Sequence, residues 1–131
     1  MKKRLLTFLL VTVVMSLLCS VTVNAVEPRY AYTISASSTL SIKFGTANCT
    51  SAITCFPSVT HIDATQYLER WDGSDWVTSE DFTVTSSSTS PFLVFDQSYS
   101  GIGSGKYRVR TVFTVYSGTD YETVETISVE V

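Results

Sequence analysis

The sequence is poor in the residues from which most catalytic and metal centres are built. Its 131 residues include one histidine, His61, and three cysteines. A zinc site takes about four Cys, His or carboxylate ligands. A Ser–His–Asp triad would have to use His61, and no serine lies in a nucleophile-elbow motif. No glycine-rich phosphate loop is present. We therefore expect a protein that is not an enzyme and that binds no metal and no cofactor.

Acidic residues do not supply a convincing replacement. Glu80-Asp81 and the pair Glu122 and Glu125 lie at predicted edges or turns, where solvated charge is the usual reason for carboxylates, so a glycosidase pair is not expected. A third acidic group comprises Glu69, Asp72 and Asp75. A cation site formed by these three is the less favoured interpretation, because their spacing is not that of a calcium loop.

Long apolar runs are confined to the N-terminus, which has the layout of a secretory signal peptide. A basic head at 2–4 precedes an almost unbroken apolar run at 5–18, and small residues follow. The apolar run is about 14 residues, shorter than the roughly 20 of a membrane span. We expect cleavage between Ala25 and Val26. A lipoprotein acylated at Cys19 is the weaker alternative, because Leu18 stands where a small residue is required.

Cleavage would leave a single domain, residues 26–131. We expect this domain to be secreted, either free outside the cell or associated with the cell wall. Cleavage would remove three of the nine basic residues and none of the twelve acidic ones. An acidic domain is poorly suited to nucleic acid and to anionic membranes. After cleavage no run is long enough to cross a bilayer. The expected partners are a cell-wall polysaccharide or a surface protein.

The residues after position 25 favour strands. About a third of them are serine or threonine, valine and tyrosine are frequent, and leucine is scarce. Alternation and turn signals predict an all-β, seven-stranded antiparallel sandwich of immunoglobulin or fibronectin type. The predicted strands are 30–35, 39–44 resuming to 49 after a bend at Gly45, 60–71, 76–84, 92–95, 105–116 and 121–131. Loops are predicted at 50–58 and 85–90, and hairpin turns at 72–75 and 117–120.

The best-patterned of these segments is 105–116, which we interpret as the central strand. Its odd-numbered residues are apolar or Thr, which places them in the core. Lys106, Arg108 and Arg110 then lie on the outer face, and we expect them to pair with Glu122 or Glu125 of the last strand. An anionic-ligand site on this basic row is the alternative.

Cys49 and Cys55 are the two cysteines that remain after cleavage. In an exported chain they are expected to form one disulfide across the predicted 50–58 loop.

Two resemblances extend this interpretation. Gly105-x-Tyr107-x-Val109 resembles the tyrosine corner of immunoglobulin-like domains, in which a tyrosine hydroxyl bonds to backbone a few residues upstream. Val109 stands where a true immunoglobulin domain has its second cysteine. The second resemblance rests on several short motifs in order. They are Leu40-x-Ile42, Gly45-x-Ala47-x-Cys49, Tyr67-Leu68-Glu69, Trp76, Gly105-x-Tyr107-Arg108-Val109, Val115-Tyr116-Ser117-Gly118 and Glu122.

This order is similar to that of small exported proteins of Gram-positive bacteria whose domain has no assigned function. The resemblance implies an exported β-sandwich and brings no catalytic residue with it. From the residues themselves, the candidate binding surface is aromatic: Tyr67, Trp71 and Trp76 flank the predicted turn at 72–75. Exposed aromatic rings on one sheet suit a carbohydrate or adhesion module. The other hypothesis is a small secreted inhibitor or effector that uses the disulfide loop.

Overall fold

The computed structural model describes residues 30–131, which form eight strands and one short 3₁₀ turn. The strands are β1 (Thr33–Lys43), β2 (Thr46–Cys55), β3 (His61–Trp71), β4 (Trp76–Val77), β5 (Thr83–Ser88), β6 (Phe92–Tyr99), β7 (Tyr107–Ser117) and β8 (Asp120–Ile127). The 3₁₀ turn, Glu80–Phe82, separates β4 from β5. The all-β prediction is confirmed, whereas the predicted count of seven strands is wrong. The predicted signal peptide and its Ala25–Val26 junction lie outside the described residues.

The strands form two antiparallel sheets that enclose one core. The smaller sheet has the order β1-β2-β6. In the larger sheet β3 pairs with β7 on one side, and β7 pairs with β8. On its other side β3 pairs with β5 along Ile62–Tyr67 and with β4 at Arg70 and Trp71. Within residues 30–131 no helix is long and apolar enough to cross a membrane.

Two segments predicted as loops are strands. Most of the predicted 50–58 loop belongs to β2, the middle strand of the smaller sheet, and the Ser/Thr-rich segment 85–90 largely belongs to β5. Both segments are rich in small hydroxyl residues, which typify loops when the sequence is considered alone. Threonine is also a good strand former. Whether such a segment forms a loop or a strand therefore depends on whether it hydrogen-bonds to a neighbouring strand.

The predicted disulfide is not formed. Cys49 and Cys55 are free and buried, and both lie on β2. Six strand residues span about 20 Å at roughly 3.3 Å per residue, whereas the two Cα atoms of a disulfide lie about 4.4–6.8 Å apart. The prediction failed because it assumed that the chain between the cysteines turns back. The same geometry removes the disulfide-closed loop on which the inhibitor hypothesis depended.

A polar layer divides the core. Five strands each place one polar side chain in this layer: Ser38, Ser51, Gln66, Thr111 and Thr126. Thr111 lies at its centre, with its hydroxyl 2.6 Å from that of Ser38 and 2.7 Å from that of Ser51. Gln66 donates to Ser51 at 2.6 Å. Hydrogen bonding of this kind offsets the cost of burying hydroxyl groups.

Apolar clusters lie on both sides of the polar layer. One contains Ile53, Cys55, Val59, Ile62, Ala64, Leu93, Phe113, Val115 and Val124. The other contains Leu40, Ala47, Cys49, Leu68, Tyr107 and Val109. Members of each cluster come from both sheets, so the clusters join the two layers.

Tyr107, the first residue of β7, belongs to the second cluster. Its side chain is buried, and its hydroxyl donates to the carbonyl oxygen of Gly103 at 2.8 Å. This is the contact expected of a tyrosine corner. Gly105 adopts φ 144°, and a Cβ there would lie 3.1 Å from Nε of Arg70. Both the backbone conformation and the nearby guanidinium therefore favour glycine at this position.

We predict that Cys49 and Cys55 remain thiols in the purified protein. Burial raises the pKa of the Cys49 thiol to about 11 and also raises that of Cys55, so native alkylation near pH 8 should be slow. Unfolding in denaturant without reductant should make both residues alkylate fully, as measured by peptide mass spectrometry. Recovery of a peptide pair linked through Cys49 and Cys55 would contradict the structure.

Candidate functional site

The outer face of the larger sheet carries a group of aromatic and charged side chains. Side chains alternate along a strand, and the register places Tyr67 opposite Arg110 and Glu69 opposite Arg108. Trp71 pairs with Trp76 where β3 meets β4. We call these six residues the outer cluster: Tyr67, Glu69, Trp71, Trp76, Arg108 and Arg110.

Glu69 lies at the centre of the outer cluster. Its residue surface is only 3% exposed, although it faces away from the core. Its carboxylate accepts from Nε of Arg108 at 2.9 Å and from Nε of Arg110 at 3.2 Å. One buried carboxylate therefore fixes two guanidinium groups, and charge-assisted bonds of this kind are stronger than neutral ones.

The sequence predicted that the basic row pairs with Glu122 or Glu125 of the last strand. The closest carboxylate to both arginines is instead Glu69. Arg110 Nη1 lies 3.6 Å from Glu125, whose side chain is half exposed. Lys106 lies 3.4 Å from Glu130. Glu122 instead accepts from the backbone N–H groups of Ala31 and Tyr32 and so holds the start of the described chain against β8. The primary partner is Glu69 on β3, which pairs with β7 through the longest ladder of the larger sheet.

The two guanidiniums also stack on aromatic rings. Arg108 lies 4.3 Å from the ring centroid of Trp76, and Arg110 lies 4.4 Å from that of Tyr67. Contacts of this kind contribute about 0.5–1 kcal/mol each at exposed sites. The rings of Trp71 and Trp76 are 5.4 Å apart and inclined by 58°. Each guanidinium thus contacts both the Glu69 carboxylate and an aromatic ring.

The three aromatic residues predicted as a binding surface do lie on one face, but they do not form a flat apolar patch. Tyr67 and Trp76 are half-buried, and each gives one ring face to an arginine. Trp71 is 36% exposed, and among residues 30–131 no arginine stacks on its ring. Trp71 is therefore the ring best placed to contact a ligand.

A cleft of about 480 Å³ opens beside Trp71. It is lined by Leu68, Arg70, Trp71, Asp72, Val77, Thr78, Ser79 and Phe82. After β3 the chain leaves the sheet and pairs with β3 again only over the two residues of β4. The 3₁₀ turn then leads into β5, which pairs with β3 further along. The cleft is formed by this irregular connection and the end of β3. Sequence patterns missed the cleft because residues 76–84, after the predicted turn at 72–75, were predicted as one continuous strand.

The turn at 72–75 has a structural role. Asp72 Oδ1 accepts from the backbone N–H groups of Ser74 at 2.8 Å and Asp75 at 2.7 Å. These bonds lower the pKa of the Asp72 carboxyl group, those from Asp75 and Ser74 being the main causes. Glu69 is held by its arginines and does not join Asp72 and Asp75. Among residues 30–131 no three His, Cys, Asp or Glu side chains gather as metal ligands would.

His61 lies on the same outer face, in the first residue of β3. Its Nε2 is 2.7 Å from a carboxylate oxygen of Asp63, and its ring is 5.6 Å from that of Tyr116. Both His61 and Asp63 are partly exposed. Glu80 and Asp81 are exposed in the 3₁₀ turn.

The outer cluster and the cleft meet at Trp71. Leu68 and Arg70, which line the cleft, have the inward parity of β3, so most of the cleft lies off the outer face. Exposed aromatic area beside a concave apolar floor with a polar rim is a feature of ligand-binding sites. Comparisons with protein-family models, with curated proteins and with solved structures found no match. The chemistry of the site is therefore inferred from this geometry.

We predict that Glu69→Gln destabilises the protein by about 1–3 kcal/mol, because two partly buried guanidiniums would lose their shared counter-charge. Glu125→Gln is the matched control, since its exposed contact should change stability by about 0.5 kcal/mol or less. Urea unfolding measures both. Equal effects of the two substitutions would show that Glu69 does not organise this face.

Proposed function

We propose that this chain is an exported, non-enzymatic β-sandwich that binds a cell-surface polysaccharide through Trp71, Trp76 and the adjoining cleft. The observation that carries the proposal is the position of an exposed tryptophan at the mouth of a cleft with an apolar floor. Export rests on the signal-like segment 1–25. The absence of catalysis is supported by the position of His61, which contacts Asp63 on an open sheet face.

The proposed fold is immunoglobulin-like, and strand order supports it. Immunoglobulin constant domains have sheets ABED and CFG. If β1, β2 and β6 correspond to A, B and E, then β3, β7 and β8 correspond to C, F and G. The two remaining strands, β4 and β5, both pair with the C equivalent, whereas strand D of an immunoglobulin domain pairs with the E equivalent. Tyr107 begins the F equivalent, as the tyrosine corner requires.

Sugar recognition suits the chemistry of the site. The C–H faces of a pyranose ring are apolar and stack on aromatic rings, whereas its hydroxyls need hydrogen-bond partners. Trp71 offers the aromatic face, and Arg70, Thr78 and Ser79 line the polar part of the cleft. Arg70 is positioned by a 2.9 Å bond from Nη2 to the carbonyl of Ser104. Its guanidinium is therefore held in place before a ligand arrives.

A surface protein is the second candidate partner. Tryptophan, tyrosine and arginine are the residues most enriched among the energetic hot spots of protein interfaces, and the outer cluster contains two, one and two of them respectively. The inhibitor hypothesis is not retained, because Cys49 and Cys55 close no loop.

We predict that the double variant Trp71→Ala/Trp76→Ala loses retention on isolated cell walls and on wall polysaccharide at least tenfold, because it removes the stacking platform. Tyr121→Ala is the matched control, since Tyr121 is exposed on the same sheet but far along the face from Trp71. Retention is measured by co-sedimentation, and thermal unfolding verifies that each variant is folded.

Three outcomes separate the candidates. Loss of retention in the double variant on protease-treated walls and on purified polysaccharide supports sugar binding. Retention that disappears when wall proteins are digested supports a protein partner and overturns the sugar proposal. Full retention of the folded double variant would exclude this surface as the binding site.

A further inference from the structure

The sandwich exposes edge strands, and β6 is the least protected of them. Unpaired strand edges recruit further strands unless bulges, charges or shortness prevent it. The other edges show such protection. β1 has a register shift between Thr33 and Ser35, β8 carries Asp120, Glu122 and Glu125, and β4 and β5 divide one edge into a two-residue and a six-residue strand.

β6 has none of these features. It is eight residues long, pairs with β2 without a register shift and contains one Asp, Glu, Lys or Arg residue, Asp96. Phe92 and Val94 are 61% and 60% exposed on its outer face. A long, regular and partly apolar edge of this kind favours pairing with another strand.

Hydrogen-bond alternation shows which backbone groups are available. Cys55 donates to the carbonyl of Pro91 at 2.7 Å, so the bonded pairs between β2 and β6 fall on odd-numbered residues of β6. The N–H and C=O groups of Phe92, Val94, Asp96 and Ser98 therefore point away from β2. Within residues 30–131 they have no strand partner. Two of these carbonyl groups accept side-chain hydrogen bonds: that of Phe92 from the Ser90 hydroxyl at 3.1 Å and that of Ser98 from Nε2 of Gln97 at 3.5 Å.

We propose that β6 pairs antiparallel with β6 of a second copy of this chain. The two smaller sheets then become one six-stranded sheet across a twofold axis. A twofold antiparallel contact is self-complementary, so one strand can supply both sides of the interface. The exposed edge groups of one copy find partners in the other, and Phe92 and Val94 leave water together.

Charge disfavours the alternative partner strand and one register of β6. Pairing β8 with its own copy would bring together strands that carry three carboxylates each, and like charges opposite each other are destabilising. On β6 a register centred on Asp96 would place the two carboxylates together. A register centred on Phe95 instead places Asp96 opposite Val94 and Phe92 opposite Ser98, so that all four free-edge residues face partners within β6.

The strand register also provides a selective test. Val94 lies near the centre of the proposed contact, and its N–H points to the free edge. Val94→Pro therefore removes an intermolecular donor while it leaves the ladder to β2 intact. Val94→Lys places a charge in the contact and serves as the second variant if the proline substitution impairs folding. Thr39→Lys, on β1 of the same sheet, is the control for added charge.

The measurement is sedimentation equilibrium of the soluble protein obtained from the full 131-residue sequence. Concentrations from about 10 µM to about 1 mM are appropriate, because a single strand pair makes a small and therefore weak interface. We expect a monomer–dimer equilibrium for the wild type and for Thr39→Lys, and at least a tenfold weaker dimer for both Val94 variants. Amide exchange at Val94 should slow as concentration rises.

Four results would overturn the proposal. They are a wild type that stays monomeric throughout, a dimer unaffected by Val94→Lys, equal weakening by Thr39→Lys, and a dimer in which exchange at Val94 does not change. None of these substitutions touches Trp71 or the cleft, so polysaccharide retention should be the same in all of them.

Discussion

The surface of this protein depends on one buried carboxylate. Glu69 faces outward but is almost fully covered, because Arg108 and Arg110 close over it and then stack on Trp76 and Tyr67. Each contact restricts the next: the carboxylate fixes the guanidiniums, and the guanidiniums hold the rings. A surface ordered in advance loses less conformational entropy when a ligand binds.

The core helps to fix the geometry of this face. β3 and β7 pair over ten consecutive positions, so the residues that alternate outward on the two strands keep a fixed register. Their inward residues include Gln66 and Thr111, which hydrogen-bond across to Ser38 and Ser51 of the smaller sheet. Because these polar contacts are directional, they disfavour sliding of one sheet over the other. The polar layer and the outer cluster thus fix the same two strands from opposite sides.

Sequence patterns gave the class of the fold and part of the site. Alternation identified β7 as the central strand and β3 as a further strand, and parity placed Tyr67 and Trp71 on the outer face. Patterns failed at β2 and β5, since serine and threonine suit both loops and strands until a neighbour is known. The false disulfide followed from that error. Glu69 was missed as the arginines' partner because cross-strand register cannot be derived from one strand's alternation.

The most direct test of this account is ¹⁵N relaxation of the arginine Nε–H groups in the ligand-free protein. If Glu69 orders the outer cluster before binding, Nε of Arg108 and of Arg110 should have order parameters close to those of rigid backbone, about 0.85. Glu69→Gln should lower both. Values below about 0.6 in the wild type would mean that the guanidiniums move freely, and they would contradict a surface organised around this carboxylate.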